Sequence, residues 1–240
     1  MSNKVIWITG GSSGIGKSLA YKFANEGWEV AISARREELL NEISKSNNNI
    51  HSFPLDVLDS ESCVNVFNKI INKLENIDIA FFSTGIHDPK SEKNLNLEKI
   101  RTIMETNFFG TINCVNSVYS YFKEKKSGHI SIVSSVAGYR GLPAGGAYCA
   151  SKAALTNYAE SLYFDMKRFN VRVSVVSPGF IKTPMTDQND FPMPMIASAE
   201  FAANEIFKGL TKSNSFEIHF PKKFTFIMKL LKIMPNWLYL

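Results

Sequence analysis

Near its start the chain reads Val5-Ile6-Trp7-Ile8-Thr9-Gly10-Gly11-Ser12-Ser13-Gly14-Ile15-Gly16, and this stretch decides the fold. Lys4 to Thr9 is a short run of β-branched and aromatic residues, which predicts a buried strand. A glycine-rich loop follows at once. Beyond it Leu19, Ala20, Phe23 and Ala24 recur at helical spacing, and Gly27 marks the stop. Glycines permit a tight turn there. They also let backbone N–H groups and a helix N-terminus approach a pyrophosphate. The spacing is Gly10-x3-Gly14-x-Gly16 and not the common G-x-G-x-x-G, so the loop alone could also be a strand–helix turn without a ligand.

Working outward, Glu29 to Ala34 predicts a second strand and completes a βαβ unit of about 30 residues. The residues that end this strand select the cofactor. An acid there would hold a ribose 2′-hydroxyl, whereas arginine accommodates a 2′-phosphate. The chain has Ala34-Arg35-Arg36 and no acid before Glu37. That favours NADP(H) over NAD(H), unless the two arginines only open a solvated helix over 36–46. A third strand is expected over Ile50–Leu55, ending in Asp56-Val57, and a helix over 60–74 with Val64, Phe67, Ile70, Ile71 and Leu74 on its apolar face. The fourth strand, Ile77–Phe82, runs into Ser83-Thr84-Gly85.

Residues 97–123 read as one long helical region bent near Asn107 to Gly110, because Asn-Phe-Phe-Gly is locally unfavourable in a helix. A strand over 129–134 leads into Ser134-Ser135 and a loop with glycines at 138, 141, 145 and 146. A helix over 148–168 follows, then a strand over 171–176, Ser177-Pro178-Gly179, and Thr183-Pro184-Met185. Prolines at 184, 192 and 194 keep 184–197 out of regular structure, and loops of that length are often lids or binding loops. A helix over 198–211 and a strand near 215–220 complete the alternation. The expectation is an α/β fold, a doubly wound, Rossmann-like parallel sheet of about seven strands in a single domain over 1–220.

Tyr148 and Lys152 sit four apart and share a helix face. Alone, such a pair is an ordinary surface contact. Beside a nucleotide site it is an acid–base device, because the ammonium favours phenolate and lowers the tyrosine pKa.

Composition narrows the class. The chain has 240 residues, 45% hydrophobic and 20% charged, with a net charge of +5. No arginine-rich run or basic–aromatic repeat suggests nucleic acid as a partner. Cys63, Cys114 and Cys149 are unclustered, which argues against a disulfide framework or a zinc site and fits a reducing, cytoplasmic setting. No stretch approaches the ~20 apolar residues of a spanning helix. Residues 221–240 form a basic amphipathic segment with four lysines and no acid. As a helix it places Phe226, Leu230 and Ile233 or Met234 on one side, flanked by Lys229 and Lys232. It could pack on its own domain or a partner, cover the substrate pocket, or make peripheral contact with an anionic membrane.

Taken in order, Thr9 to Gly16, Asp56-Val57, Asn107, Ser135, Tyr148-x3-Lys152 and Pro178-Gly179-x3-Thr183 make the chain resemble the short-chain dehydrogenase/reductases (SDR) from residue 4 to about 220. The thirteen-residue step from Ser135 to Tyr148 matches the family's catalytic spacing, which selects Ser135 over Ser134. The resemblance implies a catalytic set of Asn107, Ser135, Tyr148 and Lys152. Tyr148 is then the acid for carbonyl reduction and the base for alcohol oxidation. Lys152 lowers its pKa and bonds the nicotinamide ribose, Ser135 donates to the substrate oxygen, and Asn107 holds a water that links Lys152 to solvent. The implied cofactor site is Gly10, Ser12, Ser13, Gly14, Ile15 and Gly16, with Asp56 and Val57 at the adenine. Gly85, Pro178, Gly179 and Thr183 lie toward the nicotinamide. Arg35, helped by Arg36, would take the 2′-phosphate. No metal is implied.

Two departures stand out. Phe82-Ser83-Thr84-Gly85 replaces the family's Asn-Asn-Ala-Gly, and Ser13 stands where many NADP-preferring members carry a basic residue. Family analogy further implies a homodimer through the helices over 97–123 and 148–168. Phe191, Met193, Met195 and Ile196 suggest a hydrophobic carbonyl or alcohol substrate, lipid-, acyl- or steroid-like. The alternatives are an NAD-dependent alcohol dehydrogenase of the same family, or a non-catalytic dinucleotide-binding or membrane-scaffold protein.

Overall fold

In a strand, successive side chains point to opposite sides, so a strand covered on both faces must be apolar at every position. Val5–Ile8 meets that condition, and Thr9, buried with them, has its hydroxyl bonded by Ser83 N–H at 3.2 Å. Val5 and Trp7 pack into one core and Ile6 and Ile8 into another, one on each side of the sheet. The computed structural model describes residues 4–89 and 95–240. Residues 1–3 and 90–94, which belong to the expected 1–220 domain, lie outside the described residues.

Seven strands form one parallel sheet: β1 (Val5–Thr9), β2 (Glu29–Ser33), β3 (Ile50–Ser52), β4 (Ile79–Phe82), β5 (His129–Val133), β6 (Arg172–Pro178) and β7 (Glu217–Phe220). Their order is β3-β2-β1-β4-β5-β6-β7. Chain direction across the sheet reverses between β1 and β4, which opens a crevice at the strands' carboxyl ends. One face is covered by α3 (Ser60–Leu74), α5 (Gly110–Lys125) and α6 (Gly146–Lys167). The other is covered by α1 (Gly14–Asn25), α2 (Glu37–Lys45) and α7 (Ala199–Lys212). Side-chain caps set several helix starts: Asp59 accepts from Ser62 N–H, and Ser198 from Phe201 N–H.

Three expectations need correction. The third strand stops at Ser52, not Leu55, because Pro54 has no N–H for the ladder. Phe53 and Leu55 still donate to Ile32 and Ala34, so the chain keeps its course to the site. On α3 Ile70 is buried and Phe67, Ile71 and Leu74 pack against the core as expected, but Cys63 and Val66 are buried beside them and Val64 is exposed. Cys63 meets Cys114 of α5 at 3.9 Å, which places it on the covered side of the helix. The catalytic-loop helix begins at Gly146 instead of Tyr148, with Gly145 as its N-cap.

The bend expected near Asn107 is a π-helical turn over Glu105–Phe109, between α4 (Leu97–Met104) and α5. Such turns insert one extra residue and are frequent at functional sites.

Residues 221–240 are helical and dock on the domain as α8 (Lys222–Ile233) and α9 (Asn236–Tyr239). Phe224 and Met228 pack against Val136, Tyr139, Leu142 and Phe180. Lys229 Nζ lies 2.6 Å from Glu217 Oε2. Among the described residues no helix is long and apolar enough to cross a membrane.

Candidate active site

The crevice at the carboxyl ends of the strands is a cavity of about 630 Å³. The glycine loop after β1 forms one end. Gly14 has φ +53°, in the region that favours glycine, and a Cβ there would lie 3.0 Å from Thr183 Cγ2. A Cβ at Gly16 would lie 2.3 Å from the Gly10 carbonyl oxygen, so only glycine lets α1 start this close to the strand. The loop therefore presents backbone and a helix N-terminus to the cavity, as a pyrophosphate site requires.

The end of β2 supplies the charge at this end. Arg36 donates through Nη2 to Ser12 Oγ at 3.0 Å and to Ser13 Oγ at 3.1 Å. The guanidinium thus stands over the position where a basic residue is missing from the loop. Arg35 lines the same cavity without that contact. Asp56 and Val57, after β3, form the adjoining wall.

At the other end lies the proton-transfer cluster. Lys152 is buried, and its Nζ donates to the Val133 carbonyl oxygen at 2.9 Å. Burial lowers its pKa to about 8. The ammonium lies 5.7 Å from the centre of the Tyr148 ring. Ser135 Oγ accepts from Ala137 N–H at 3.1 Å and faces the Pro178 carbonyl at 3.4 Å. Ser134 is committed elsewhere: its hydroxyl donates to the Lys152 carbonyl at 2.7 Å and contacts Thr156 Oγ1 at 2.8 Å.

Asn107 is fully buried behind the cavity wall. Its Oδ1 accepts from Ile86 N–H at 2.7 Å, and its Nδ2 donates to the Ile86 carbonyl at 3.0 Å and to Ser151 Oγ at 3.1 Å. It holds the segment after β4 as a neighbouring strand would. A Cβ at Gly85 would lie 3.4 Å from Asn107 Oδ1 and 3.5 Å from Lys152 Nζ, so both groups flank that glycine. Ser83, in place of asparagine, donates to the Thr9 carbonyl at 2.6 Å and ties β4 to β1.

Every residue expected in the catalytic and cofactor sets lines this one cavity, except Asn107, which braces it from behind; Phe191, Met193, Met195 and Ile196, expected beside the substrate, are not in its wall. The sequence reading missed His87. Its ring lies against that of Tyr148, with centroids 4.4 Å apart and planes tilted by 34°. Burial lowers its pKa, outweighing a bond to the Ala144 backbone and the charge of Asp88, so the imidazole is neutral at ordinary pH. The available signal was position: His87 follows the end of β4, where sites of this fold gather their side chains. Among the described residues no group of three or more His, Cys, Asp or Glu could hold a metal ion.

The glycine cradle, the arginine at the end of β2 and the polar cluster at the far end fit a nicotinamide dinucleotide. Comparison with known proteins agrees. A family model for short chain dehydrogenases matches residues 4–192. An oxidoreductase of Myxococcus xanthus is 32% identical over 243 residues, covering 100% of this chain and 96% of that one. A solved short-chain dehydrogenase of Streptomyces avermitilis shares the fold with a TM-score of 0.86 at 22% identity, over 95% of this chain and 92% of that one. The solved structure of ElxO with NADP bound gives a TM-score of 0.81 at 25% identity, over 90% and 97%. The chain is an oxidoreductase of the short-chain dehydrogenase family, whose members use a nicotinamide cofactor.

Proposed function

We propose that this oxidoreductase is an NADP(H)-dependent carbonyl reductase acting on an apolar carbonyl compound or, in reverse, its secondary alcohol. The observation that carries the reading is the convergence of Ser135, Tyr148 and Lys152 on one cavity whose other end is the glycine loop. When bound, the nicotinamide supplies or accepts the hydride. Tyr148 gives its phenolic proton to the substrate oxygen in reduction and takes it back in oxidation. The buried Lys152 ammonium favours the phenolate and so eases that transfer. Ser135 Oγ accepts one bond from Ala137, so its own proton is available to the substrate oxygen; Pro178 O, at 3.4 Å, competes only weakly. Asn107 keeps Ile86, and with it Gly85 and His87, in place. Its side chain is committed to protein partners. Its backbone carbonyl, which accepts from Thr111 Oγ1, has a second lone pair with which to hold a water between Lys152 and solvent.

Arg36 supports the choice of NADP(H). A 2′-phosphate at the end of β2 would meet its guanidinium and the hydroxyls of Ser12 and Ser13, with Arg35 adding charge. Asp56 and Val57 are proposed for the adenine, and Pro178, Gly179 and Thr183 for the nicotinamide end. The apolar character of the substrate follows from Ile86, Ile181, Pro184 and Met185 in the cavity wall. Phe180, packed between Phe191 and Phe224, extends that character toward its rim. A homodimer through α4–α6 is in keeping with the exposure of Phe109, in the π-helical turn before α5, and of Phe164 on α6.

An NADPH-oxidation screen over carbonyl compounds graded by chain length and polarity tests the reading. Turnover should rise with apolar chain length. Preference for small polar sugars would overturn the substrate assignment.

A further inference from the structure

The C-terminal helices show two faces. Phe224, Thr225 and Met228 of α8 are buried against the domain. The opposite side carries Phe226, Leu230 and Ile233, at 62%, 47% and 77% exposure, and Trp237 of α9 is 82% exposed. Of the roles open to this stripe, packing on its own domain is therefore not the one it takes: it points outward. This side is not a loose end. Lys229 is paired with Glu217, Arg140 bonds the Lys232 carbonyl and Asn236, and Tyr239 donates to the Gly141 carbonyl at 2.6 Å. The domain thus spends polar contacts on holding an apolar stripe in water.

We propose that this outward face of 222–240 is a docking surface for an anionic phospholipid bilayer. Charge selects that occupant. Lys222 and Lys223 are exposed and adjoin the stripe by helical spacing, and the segment contains no carboxylate side chain. Two copies of this face would set lysines against lysines, which disfavours a second copy of the chain. Apolar side chains that enter the acyl boundary, lysines at headgroup level and an exposed tryptophan are what an interfacial helix needs. The position gives docking a consequence. Phe224, on the inner side of α8, packs tilted against Phe180 with centroids 5.4 Å apart, and Phe180 packs tilted against Phe191 at 6.1 Å. Gly179 and Ile181, on either side of Phe180, line the cavity. A bilayer against α8 lies one side-chain layer from Gly179 in the cavity wall.

The test is co-sedimentation of the full-length protein with vesicles of phosphatidylglycerol and phosphatidylcholine in equal parts, and with phosphatidylcholine alone. Binding should be at least about tenfold tighter to the anionic vesicles and should weaken with salt. Lys222→Gln/Lys223→Gln should weaken it by about fivefold per lysine, and Phe226→Ser/Ile233→Ser should abolish it. Both double variants should keep the wild-type oligomeric state and rate of NADPH oxidation with a water-soluble carbonyl. That rate is read without vesicles, so failure of docking and failure of the proposed reaction are separate results. Absence of sedimentation, or equal binding to both vesicle types, overturns the proposal. So does a smaller assembly of Phe226→Ser/Ile233→Ser by light scattering, because a second copy would then cover the stripe.

Discussion

Lys152 Nζ donates to the Val133 carbonyl oxygen at 2.9 Å, which fixes the ammonium at the carboxyl end of β5, on the Tyr148 side of the cavity. A backbone carbonyl is a weak partner for a buried charge, and burial pulls the Lys152 pKa down from 10.5 to about 8. In the free protein the proton leaves as pH rises through that value. The positive charge that favours the tyrosine phenolate leaves with it. We expect kcat/KM for reduction, which reports the free enzyme, to fall above pH 8 with a slope of about one. The folded pKa lies below the unfolded one, so between pH 8 and 10.5 the unfolded chain binds more protons and stability rises with pH. Lys152→Met should therefore lose activity and raise Tm. It removes a burial penalty on the order of 3 kcal/mol against a lost hydrogen bond of about 1 kcal/mol. A lower Tm would contradict this account.

Arg36 holds the loop hydroxyls and Arg35 does not. Arg36→Asp should weaken NADPH binding by about 10- to 100-fold, the worth of charge-assisted hydrogen bonds, and improve NADH binding. Arg35→Asp should do less. Titration of both cofactors into both variants, followed by tryptophan or nicotinamide fluorescence, checks the order.

His87 should act on position and not on protons. Its neutral ring leans on Tyr148. His87→Ala should lower kcat/KM by about 3- to 10-fold, as loss of an aromatic pair does, and leave the pH profile unchanged. His87→Phe should restore most of the rate. A changed pH profile in either variant would instead make His87 a proton carrier.

His129, at the start of β5, is buried, with Nε2 2.8 Å from Ser174 Oγ. Burial, with a smaller push from Arg172, lowers its pKa from 6.5 to about 3. The folded state keeps the imidazole neutral while the unfolded chain protonates it. Stability should therefore fall as pH drops from 6.5 toward 3, at up to about 1.4 kcal/mol per pH unit from this group. Urea midpoints measured at pH 7 and pH 4 should differ less in His129→Gln than in the wild type.

The reading of the fold from sequence succeeded where period and punctuation agree. Alternation of strand and helix, the glycine loop and Gly27 place the βαβ unit to within a residue. Where they disagree the reading slipped. Pro54 cut β3 short, and on α3 two overlapping apolar stripes were available from Cys63 to Leu74. Residues of both pack on the core, and only the neighbouring α5 shows that Cys63 and Val66 are covered while Val64 is not.

The sequence by itself determined the family motifs and their order, because spacing along a strand–loop–helix unit is local geometry. The i, i+4 pair of Tyr148 and Lys152 is of that kind. Tertiary structure alone decided the rest. That Arg36 rather than Arg35 reaches Ser12 and Ser13 depends on how the end of β2 faces the loop after β1. That His87 lies on Tyr148 depends on β4 and α6 meeting across β5. The face of α8 that turns inward was decided by Phe180, Val136 and Tyr139, residues from distant parts of the chain. A helix with apolar residues on two sides carries no local mark of which side is to be buried. The surface it meets makes that choice.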